Sequence, residues 1–353
     1  MMRISIFTLL FHILCLHALK TAPLHANKEE AEALLQWKIN GLSSSLLDSS
    51  WSVNNLTNVC NWEGIICNRG GSVSELNLPH GNIRGTLEPL RFSSLPNLTR
   101  INLNNNSLSG VIPSAISNLL KLTFLDLSNN NFTGAIPVEV GQLTQLRYFR
   151  CFRNFLDNVI PSSIGNLTHL WLLDLGMNLL NSEIPDETSS MTSLEILILQ
   201  NNSFHGKIPP SIGNLQHIQY LYLEDNFLTG ELPPSLSNIS KLVELDLSSN
   251  MLSDNILNGH IPKCLGNIRN LIVMSLAENQ FDGGIPESLC NASQLHFLSL
   301  STNYLNGVIP KPGVGVSGAR AIHKASGSWI QFCILILHLA YTLSITKCGL
   351  SGF

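Results

Sequence analysis

Apolar residues recur along most of the chain in a single repeating pattern. Across residues 122–137 the order is Leu-x-x-Leu-x-Leu-x-x-Asn-x-Phe-x-Gly-x-Ile-Pro. The closing Ile-Pro or Leu-Pro pair recurs at 24-residue steps with one step of 29, at Pro113, Pro137, Pro161, Pro185, Pro209, Pro233, Pro262, Pro286 and Pro310. A fixed period of this length predicts a solenoid, in which each repeat is one coil that buries its apolar residues against its neighbours.

The chemistry of each repeat position predicts its structural role. Leu125 and Leu127 alternate inward from a short strand, and Ile136 fills the core further round the coil. An Asn lies seven residues before each Pro, where its buried amide is expected to satisfy backbone groups of neighbouring coils. These asparagines are Asn106, Asn130, Asn154, Asn178, Asn202, Asn226, Asn255, Asn279 and Asn303. Glycines such as Gly134 allow the backbone to bend, so we interpret both sets as structural and not catalytic.

The pattern is that of a leucine-rich repeat, and it predicts an α/β solenoid. Strands of successive coils stack about 4.8 Å apart and form one parallel sheet on the inner, concave face. The expected organisation is a signal peptide at 1–26, an N-terminal cap at 27–70, about ten repeats at 71–312 and a divergent tail at 313–353.

The low charge content of the sequence limits the classes of partner that the protein can bind. Only 12% of the residues are Asp, Glu, Lys or Arg, and the net charge is −4. A nucleic-acid partner is not expected, because phosphate binding needs a basic stripe and the sequence has none.

The first 26 residues have the pattern of a secretory signal. Arg3 supplies a positive charge, residues 4–19 are uncharged and mostly apolar, and Ala26 offers a small residue for cleavage. A retained membrane anchor is the alternative, although the charges at 28–30 count against it. Because secreted chains can be N-glycosylated, the eight Asn-x-Ser/Thr sequons predict a glycosylated surface. They are Asn55, Asn97, Asn105, Asn131, Asn166, Asn201, Asn238 and Asn291.

The segment before the repeats is predicted to cover the open end of the solenoid. Asn27 is expected to cap a helix, with Glu30 in the capping-box position. Cys60 and Cys67 are seven residues apart in a secreted chain, which predicts a local disulfide. Three tryptophans also fall in this segment: Trp37, Trp51 and Trp62.

Residues 27–312 resemble the ectodomain of plant leucine-rich-repeat receptor-like kinases and receptor-like proteins. The resemblance rests on Ala-Leu-Leu-x-Trp-Lys at 33–38, Trp-x-Gly-Ile-x-Cys ending at Cys67, and the Gly-x-Ile-Pro form of the repeat. Among subgroups, the chain is most similar to receptors like the pollen-tube attractant co-receptors. The resemblance implies a plant-type horseshoe or superhelix with a helical cap, a peptide or protein ligand, and a co-receptor kinase as partner.

Two irregularities interrupt the repeats. The 29-residue step before Pro262 is either a five-residue bulge or the remnant of a repeat that lost 19 residues. In the tail, residues 325–346 contain no charged residue and are just long enough to cross a bilayer. The tail is a membrane anchor, an improvised cap over the last repeat, or an unrelated end of a receptor truncated before its kinase domain. The sequence leaves these alternatives open.

Catalytic and metal-binding constellations are not evident in the sequence. The histidines are scattered through different repeats, and no phosphate-binding loop or metalloprotease motif occurs. We therefore expect neither an enzyme nor a cofactor. Cys151 occupies a strand position and is interpreted as a small core residue, whereas the pairing of Cys264, Cys290, Cys333 and Cys348 stays open.

The concave face is the predicted ligand-binding surface. Its outward positions in repeats three to seven combine aromatic residues with a few charges, which suits an extended peptide. The predicted site comprises Phe124, Asp126, Tyr148, Arg150, Phe152, Leu172, Asp174, Ile196, Tyr220 and Tyr222. The alternative is an apolar column without any ligand. Arg150 and Arg153 invite comparison with the arginine pair that grips a peptide carboxyl terminus in some receptors of this family, although the spacing differs.

These observations predict an extracellular recognition module that signals through a partner kinase. Its expected location is the plasma membrane, with the repeats outside, or the apoplast. The alternative is a secreted inhibitor of a cell-wall hydrolase, similar to the polygalacturonase-inhibiting proteins, which resemble this chain in their repeats.

Overall fold

The structure is a computed structural model that describes residues 28–253 and 260–310 of the 353-residue chain. The predicted signal peptide, the helix-capping Asn27 and the candidate membrane segment at 325–346 lie outside the described residues. Within the described ranges, no helix is long and apolar enough to cross a membrane.

Ten coils each contribute one strand to a parallel sheet on the concave face. An antiparallel strand of the cap, Ile65–Cys67, pairs with the first of them. In chain order, and defining coils 1 to 10, the parallel strands are Val73–Asn77, Arg100–Asn102, Phe124–Asp126, Tyr148–Arg150, Leu172–Asp174, Ile196–Ile198, Tyr220–Tyr222, Glu244–Asp246, Val273–Ser275 and Phe297–Ser299. The prediction of a leucine-rich-repeat solenoid with a parallel concave sheet is confirmed.

A second sheet runs along the side of the solenoid, and the sequence analysis did not predict it. Its strands are Leu42–Ser43, Arg84–Thr86, Ser107–Gly110, Asn131–Gly134, Phe155–Asn158, Leu179–Ser182, Ser203–Lys207, Phe227–Gly230 and Met251–Leu252. After the asparagine of each repeat the backbone stays extended. It changes direction at a residue such as Gly134, which has φ +75°. We call this surface the lateral sheet.

The convex side is built from short 3-10 helices. Each of those in coils 2 to 9 follows its proline, whose φ lies between −61° and −68° and sets the direction of the first turn. They are Ser114–Asn118, Val138–Gln142, Ser162–Asn166, Asp186–Ser190, Pro210–Asn214, Pro234–Asn238, Lys263–Asn267 and Glu287–Asn291. Two further 3-10 helices, Val53–Asn61 and Phe92–Ser94, lie in the cap and coil 1.

The repeat leucines form one continuous core between these surfaces. Leu125, Leu127, Phe132 and Ile136 are each at most 2% exposed, as their positions in the pattern predict. Burying a side chain of this size contributes roughly 1.5–3 kcal/mol relative to leaving it in water.

A ladder of buried asparagine amides connects the coils. The Nδ2 of Asn130 donates to the carbonyls of Leu127 in its own coil and Leu103 in the preceding coil, at 3.0 and 2.9 Å. Its Oδ1 accepts the N–H of Leu108 at 3.0 Å. The same arrangement recurs from Asn106 to Asn303, so each amide satisfies backbone groups of two coils.

One predicted member of the asparagine ladder is wrong. Asn250, and not Asn255, occupies the ladder position in coil 8: its Oδ1 accepts the N–H of Leu228, and its Nδ2 donates to Leu223 and Leu247. The strands of coils 8 and 9 pair directly. The 29-residue step is therefore one coil, and its extra residues fall after the ladder, where 254–259 lie outside the described range.

The cap covers the core edge of coil 1. Its helices are Lys28–Gly41 and Ser45–Asp48. Trp37, Trp51 and Trp62 are at most 2% exposed and pack in a row, with ring centroids 6.2 and 5.5 Å apart. The predicted Cys60–Cys67 disulfide is present.

The predicted role of Glu30 in a capping box is wrong. Glu30 is fully buried, and its Oε2 accepts the N–H of Val73 at 2.9 Å. Burial raises the pKa of this carboxyl. Glu30 therefore satisfies the first strand of coil 1 and does not satisfy the start of its own helix, because Val73 has no preceding parallel coil to pair with.

Among the described cysteines outside the disulfide, all three are free thiols. Cys151 is completely buried, as predicted for a small core residue. Cys264 and Cys290 are partly exposed and unpaired, whereas Cys333 and Cys348 lie outside the described residues.

Removing one ladder amide should destabilise the solenoid. We expect Asn178→Ala to lower the free energy of unfolding by roughly 2–4 kcal/mol, because it leaves buried backbone groups of two coils without partners. Thermal and urea denaturation followed by circular dichroism measures this change. Asn181→Ala, at an exposed position of the same coil, is the control and should change stability by less than about 0.5 kcal/mol. Equal stability of the two variants would contradict a structural role for the ladder.

Candidate functional site

The concave sheet holds the predicted ligand-binding residues in two columns. Strand register places Phe124, Tyr148, Leu172, Ile196 and Tyr220 side by side in consecutive coils. All five are partly exposed, so this first column forms the accessible surface. The repeat pattern predicted both that these residues are neighbours and that they lie on the concave face.

Coils 2 to 5 carry a stacked row of rings on this surface. The guanidinium of Arg100 lies 3.5 Å from the ring centroid of Phe124, and Phe124 stacks on Tyr148 with centroids 4.2 Å apart and ring planes 8° from parallel. Trp171 then packs against Tyr148 at 5.8 Å. We call Arg100, Phe124, Tyr148 and Trp171 the aromatic row. Because the rings of Phe124 and Tyr148 stack on each other, the row presents their apolar edges with a cation at one end. This surface suits aromatic or aliphatic side chains of a ligand.

Tyr148 stays protonated throughout the physiological range. Burial raises the pKa of its hydroxyl to about 12, and nearby Asp126 adds to the effect. The hydroxyl is therefore available as a hydrogen-bond donor.

The second column is more buried than the sequence predicted. Asp126, Arg150 and Asp174 are 6%, 8% and 1% exposed. Arg150 Nε donates to Asp174 Oδ2 at 2.7 Å across neighbouring strands. The expectation that these three residues present free charges on the surface is wrong, because ring neighbours cover them and Arg150 and Asp174 neutralise one another.

Arg150 and Arg153 do not form a matched pair of arginines. Arg150 is held by Asp174, and its guanidinium lies 5.3 Å from the ring centroid of Phe152. Arg153 is exposed at the turn after the strand, with φ +55°. The two side chains therefore differ in burial and in location, so the comparison with a carboxyl-terminus grip is not supported.

Coils 7 and 8 carry a second surface, which we call the tyrosine-carboxylate cluster. It comprises Tyr220, Tyr222, Glu224, Glu244 and Asp246. The hydroxyl of Tyr222 donates to Glu244 Oε2 at 2.5 Å, and the rings of Tyr220 and Tyr222 stack with centroids 6.4 Å apart. Asp246 Oδ1 accepts both the N–H and the hydroxyl of Ser248.

The electrostatics of this cluster are unfavourable. Burial raises the pKa of Glu224 well above its usual value, and repulsion from Asp246 raises it further. Burial likewise raises the pKa of Asp246, against the opposing hydrogen bonds from Ser248. Burial and Glu244 raise the pKa of Tyr222. The cluster therefore concentrates acidic groups where water is scarce.

Five residues of these surfaces are absent from the predicted site: Arg100, Trp171, Glu224, Glu244 and Asp246. Arg100 and Glu244 fall in the first column. The repeat period therefore predicts that they lie on the concave face, but it does not predict which residues they contact. Trp171 lies one residue before the column, and only the packing of its ring against Tyr148 brings it to the surface.

The sequons lie away from the concave strands. Asn105 and Asn201 occupy turns after the strands, Asn131 lies on the lateral sheet, and Asn166 and Asn238 end convex 3-10 helices. Asn55 is in the cap, Asn97 lies before the strand of coil 2, and Asn291 ends a 3-10 helix of coil 9. None of the sequon asparagines belongs to a concave strand, and the Asn201 N–H donates to the carbonyl of Glu224 at 3.0 Å.

Comparisons with known families match both parts of the described chain. The leucine-rich-repeat N-terminal domain matches residues 27–68, and leucine-rich repeats match residues 71–132, 193–215, 217–239 and 270–292. The latter segments of the chain are leucine-rich repeats, in agreement with the solenoid fold. In the part of the chain that the structure describes, no group of three His, Cys, Asp or Glu residues is arranged to hold a metal ion.

The relatives are plant proteins. MDIS1-interacting receptor like kinase 2 of Arabidopsis thaliana is 48% identical over 91 residues, which is 25% of this chain and 8% of the kinase. The ectodomain of the Arabidopsis receptor kinase HAESA, solved with the peptide hormone IDA and the co-receptor SERK1, is 34% identical with a TM-score of 0.70. That match covers 80% of this chain and 47% of the HAESA chain.

The same fold also occurs in a protein of a different kind. A plant ice-binding protein is 27% identical, with a TM-score of 0.68 over 82% of this chain and 91% of its own. The chain thus spans less than half of the receptor ectodomain and a small part of the receptor kinase to which it is similar.

The acidic cluster should make stability depend on pH. A carboxyl whose pKa is raised by folding adds stability below its unfolded pKa, near 4.5 for Glu224, and that contribution is lost as the pH rises through the folded pKa. We expect Glu224→Gln to raise the melting temperature at pH 7 and to bring little gain at pH 4. Differential scanning fluorimetry between pH 4 and pH 7 measures the difference in melting temperature between Glu224→Gln and the wild type. A difference that is constant with pH would contradict the raised pKa of Glu224.

The buried ion pair should be sensitive to the loss of one partner. We expect Arg150→Met to cost about 3–5 kcal/mol, because it leaves Asp174 buried without its cation. The double variant Arg150→Met/Asp174→Leu should recover most of that loss. Denaturant unfolding of both variants and of the exposed control Arg147→Met tests this expectation, and a double variant as unstable as the single one would contradict it.

Proposed function

We propose that the chain is an extracellular recognition module that binds a peptide or protein on its concave face. The observation that carries the proposal is the aromatic row, in which partly exposed rings of consecutive coils form one continuous strip. Large rings with few rotatable bonds lose little entropy on binding, and they dominate the energetics of protein interfaces.

The geometry suits an extended chain. Neighbouring strands present their first-column residues about 4.8 Å apart, and an extended peptide advances about 6.6 Å for every two residues. A ligand that crosses coils 2 to 8 therefore has room for several side chains between the aromatic row and the tyrosine-carboxylate cluster.

The solved relatives support the same class of ligand. The HAESA ectodomain, which has this fold, was solved with a peptide hormone and a co-receptor. By analogy we propose a peptide ligand for this chain and a partner kinase through which it signals. The chain would act in the secretory pathway, at the plasma membrane or in the apoplast, with Asn55, Asn97, Asn105, Asn131, Asn166, Asn201, Asn238 and Asn291 as glycan acceptors.

Removal of two rings should abolish recognition without unfolding the protein. We expect Phe124→Ala/Tyr148→Ala to weaken the binding of peptides selected on the full chain by about 30-fold or more, which corresponds to about 2 kcal/mol. Isothermal titration calorimetry measures the affinity. Phe155→Ala is the control, because Phe155 is 51% exposed on the lateral sheet, away from the proposed path. An affinity unchanged by the double variant would exclude this site.

Cell fractionation separates a receptor-like protein from the alternative secreted hydrolase inhibitor. For a receptor-like protein we expect the full chain, expressed in plant cells, to stay with the membrane fraction after an alkaline carbonate wash. Recovery of all the protein in the soluble fraction, together with inhibition of a polygalacturonase, would favour the inhibitor.

A further inference from the structure

The two halves of the concave face differ in charge. In coils 2 to 4 the strands and adjoining positions carry Arg100, Arg147 and Arg150 and one acid, Asp126. Of these arginines, Arg100 lies 3.8 Å from Glu75 of coil 1, and Arg150 is paired with Asp174 of coil 5. Across the three concave strands of coils 6 to 8 and their flanking residues, Glu195, Glu224, Glu244 and Asp246 occur with no Lys or Arg. The acidic half is therefore not neutralised by its own columns.

Most carboxylates in the acidic half have donors from the protein. Glu195 accepts from Gln219 at 3.0 Å, Glu244 accepts from the Tyr222 hydroxyl, and Asp246 accepts from Ser248. These hydrogen bonds come from neutral groups. They fix the orientation of the carboxyl groups but supply no positive charge.

Glu224 differs from the other three carboxylates. Its Oε2 is buried and has no hydrogen-bond partner, although the residue as a whole is partly exposed on the concave side. A buried carboxylate oxygen without a hydrogen-bond partner destabilises the folded state. Glu224 lies beside Asp246, and the two carboxylates repel each other.

A cation from a ligand would relieve the repulsion. Placed against the exposed part of Glu224, it would offset the negative charge that Glu224 and Asp246 bring together. The neighbouring rings of Tyr220 and Tyr222 add attractive surface, because the faces of aromatic rings attract cations. Carboxylates with adjacent rings are the combination that recognises an ammonium or guanidinium group.

We propose that the tyrosine-carboxylate cluster is a subsite for a cationic group of the ligand, either a Lys or Arg side chain or a free amino terminus. This inference rests on the proposed function and adds to it a required ligand chemistry and a direction. The cationic group lies over coils 7 and 8, and the apolar or aromatic part of the ligand lies over the aromatic row.

Selection of peptides tests the subsite. Random dodecapeptides displayed on phage are selected on the full chain, and an enriched peptide is then synthesised in four forms. These are the original peptide, the peptide with an acetylated amino terminus, the peptide with Arg replaced by citrulline, and the peptide with Lys replaced by acetyl-lysine. Isothermal titration calorimetry measures each form. We expect one of the three neutralised forms to bind at least about tenfold more weakly, and the form affected identifies the source of the cation.

The matching protein variant is Glu224→Gln/Asp246→Asn. It should bind the original peptide at least about tenfold more weakly and should not distinguish it from the neutralised form. Its melting temperature at pH 7 should equal or exceed that of the wild type, which shows that weaker binding is not unfolding. The control Glu139→Gln/Glu187→Gln removes the same charge from convex positions, of which Glu139 is partly exposed and Glu187 is exposed. It should leave affinity unchanged.

The outcomes separate this inference from the proposed function. If peptides bind in a way that depends on Phe124 and Tyr148 but not on Glu224 and Asp246, the subsite is wrong and the concave recognition site stands. If selection enriches no peptide, the proposed function fails and the subsite fails with it. Equal weakening by the convex control would overturn the subsite as well, because the effect would then come from net charge alone.

Discussion

The hydrogen bonds of the ladder asparagines are the constraint on which the rest of this structure depends. After each concave strand the chain turns, and the backbone hydrogen bonds between coils, such as that from the Leu127 N–H to the carbonyl of Arg150, do not satisfy every buried group. Each ladder amide, such as that of Asn130, donates to one carbonyl of its own coil and one of the preceding coil. It also accepts a hydrogen bond from an N–H of the preceding coil. Because a buried backbone group without a partner is costly, this bonding fixes both the phase and the separation of the coils.

Fixed coil separation determines the chemistry of the concave face. Side chains at the same phase are held one strand apart, which is close to the stacking distance of aromatic rings. Phe124 and Tyr148 therefore stack at 4.2 Å. Glu224 and Asp246 are diagonal neighbours: Asp246 lies opposite Tyr222, and Glu224 is two residues further along the chain. Their carboxylates repel each other. The fixed coil separation thus accompanies a favourable aromatic surface in coils 2 to 5 and an unfavourable acidic one in coils 7 and 8.

Much of the fold could be predicted from the sequence, because every coil solves the same local problem with the same residues. Leu127, Ile136 and the disulfide between Cys60 and Cys67 follow from position alone. The expectations that were wrong concern contacts between coils or at the ends of the array. Glu30 pairs with Val73 of coil 1, and Asn250 takes the ladder position assigned to Asn255. Spacing from the next proline was misleading in coil 8, because the extra residues follow the ladder and do not precede it.

The sequence by itself determined which residues face inward, which face the concave side, and that the strands lie parallel. A strict period is enough for this, since equivalent residues in stacked coils must occupy equivalent places. Only the tertiary structure decided which concave residues are accessible and how they are partnered. Arg150 and Asp174 were both predicted to be exposed, yet they neutralise one another beneath the rings, whereas Trp171 reaches the surface from outside the column. Burial and pairing depend on side chains from neighbouring coils, and a pattern within one repeat carries no information about them.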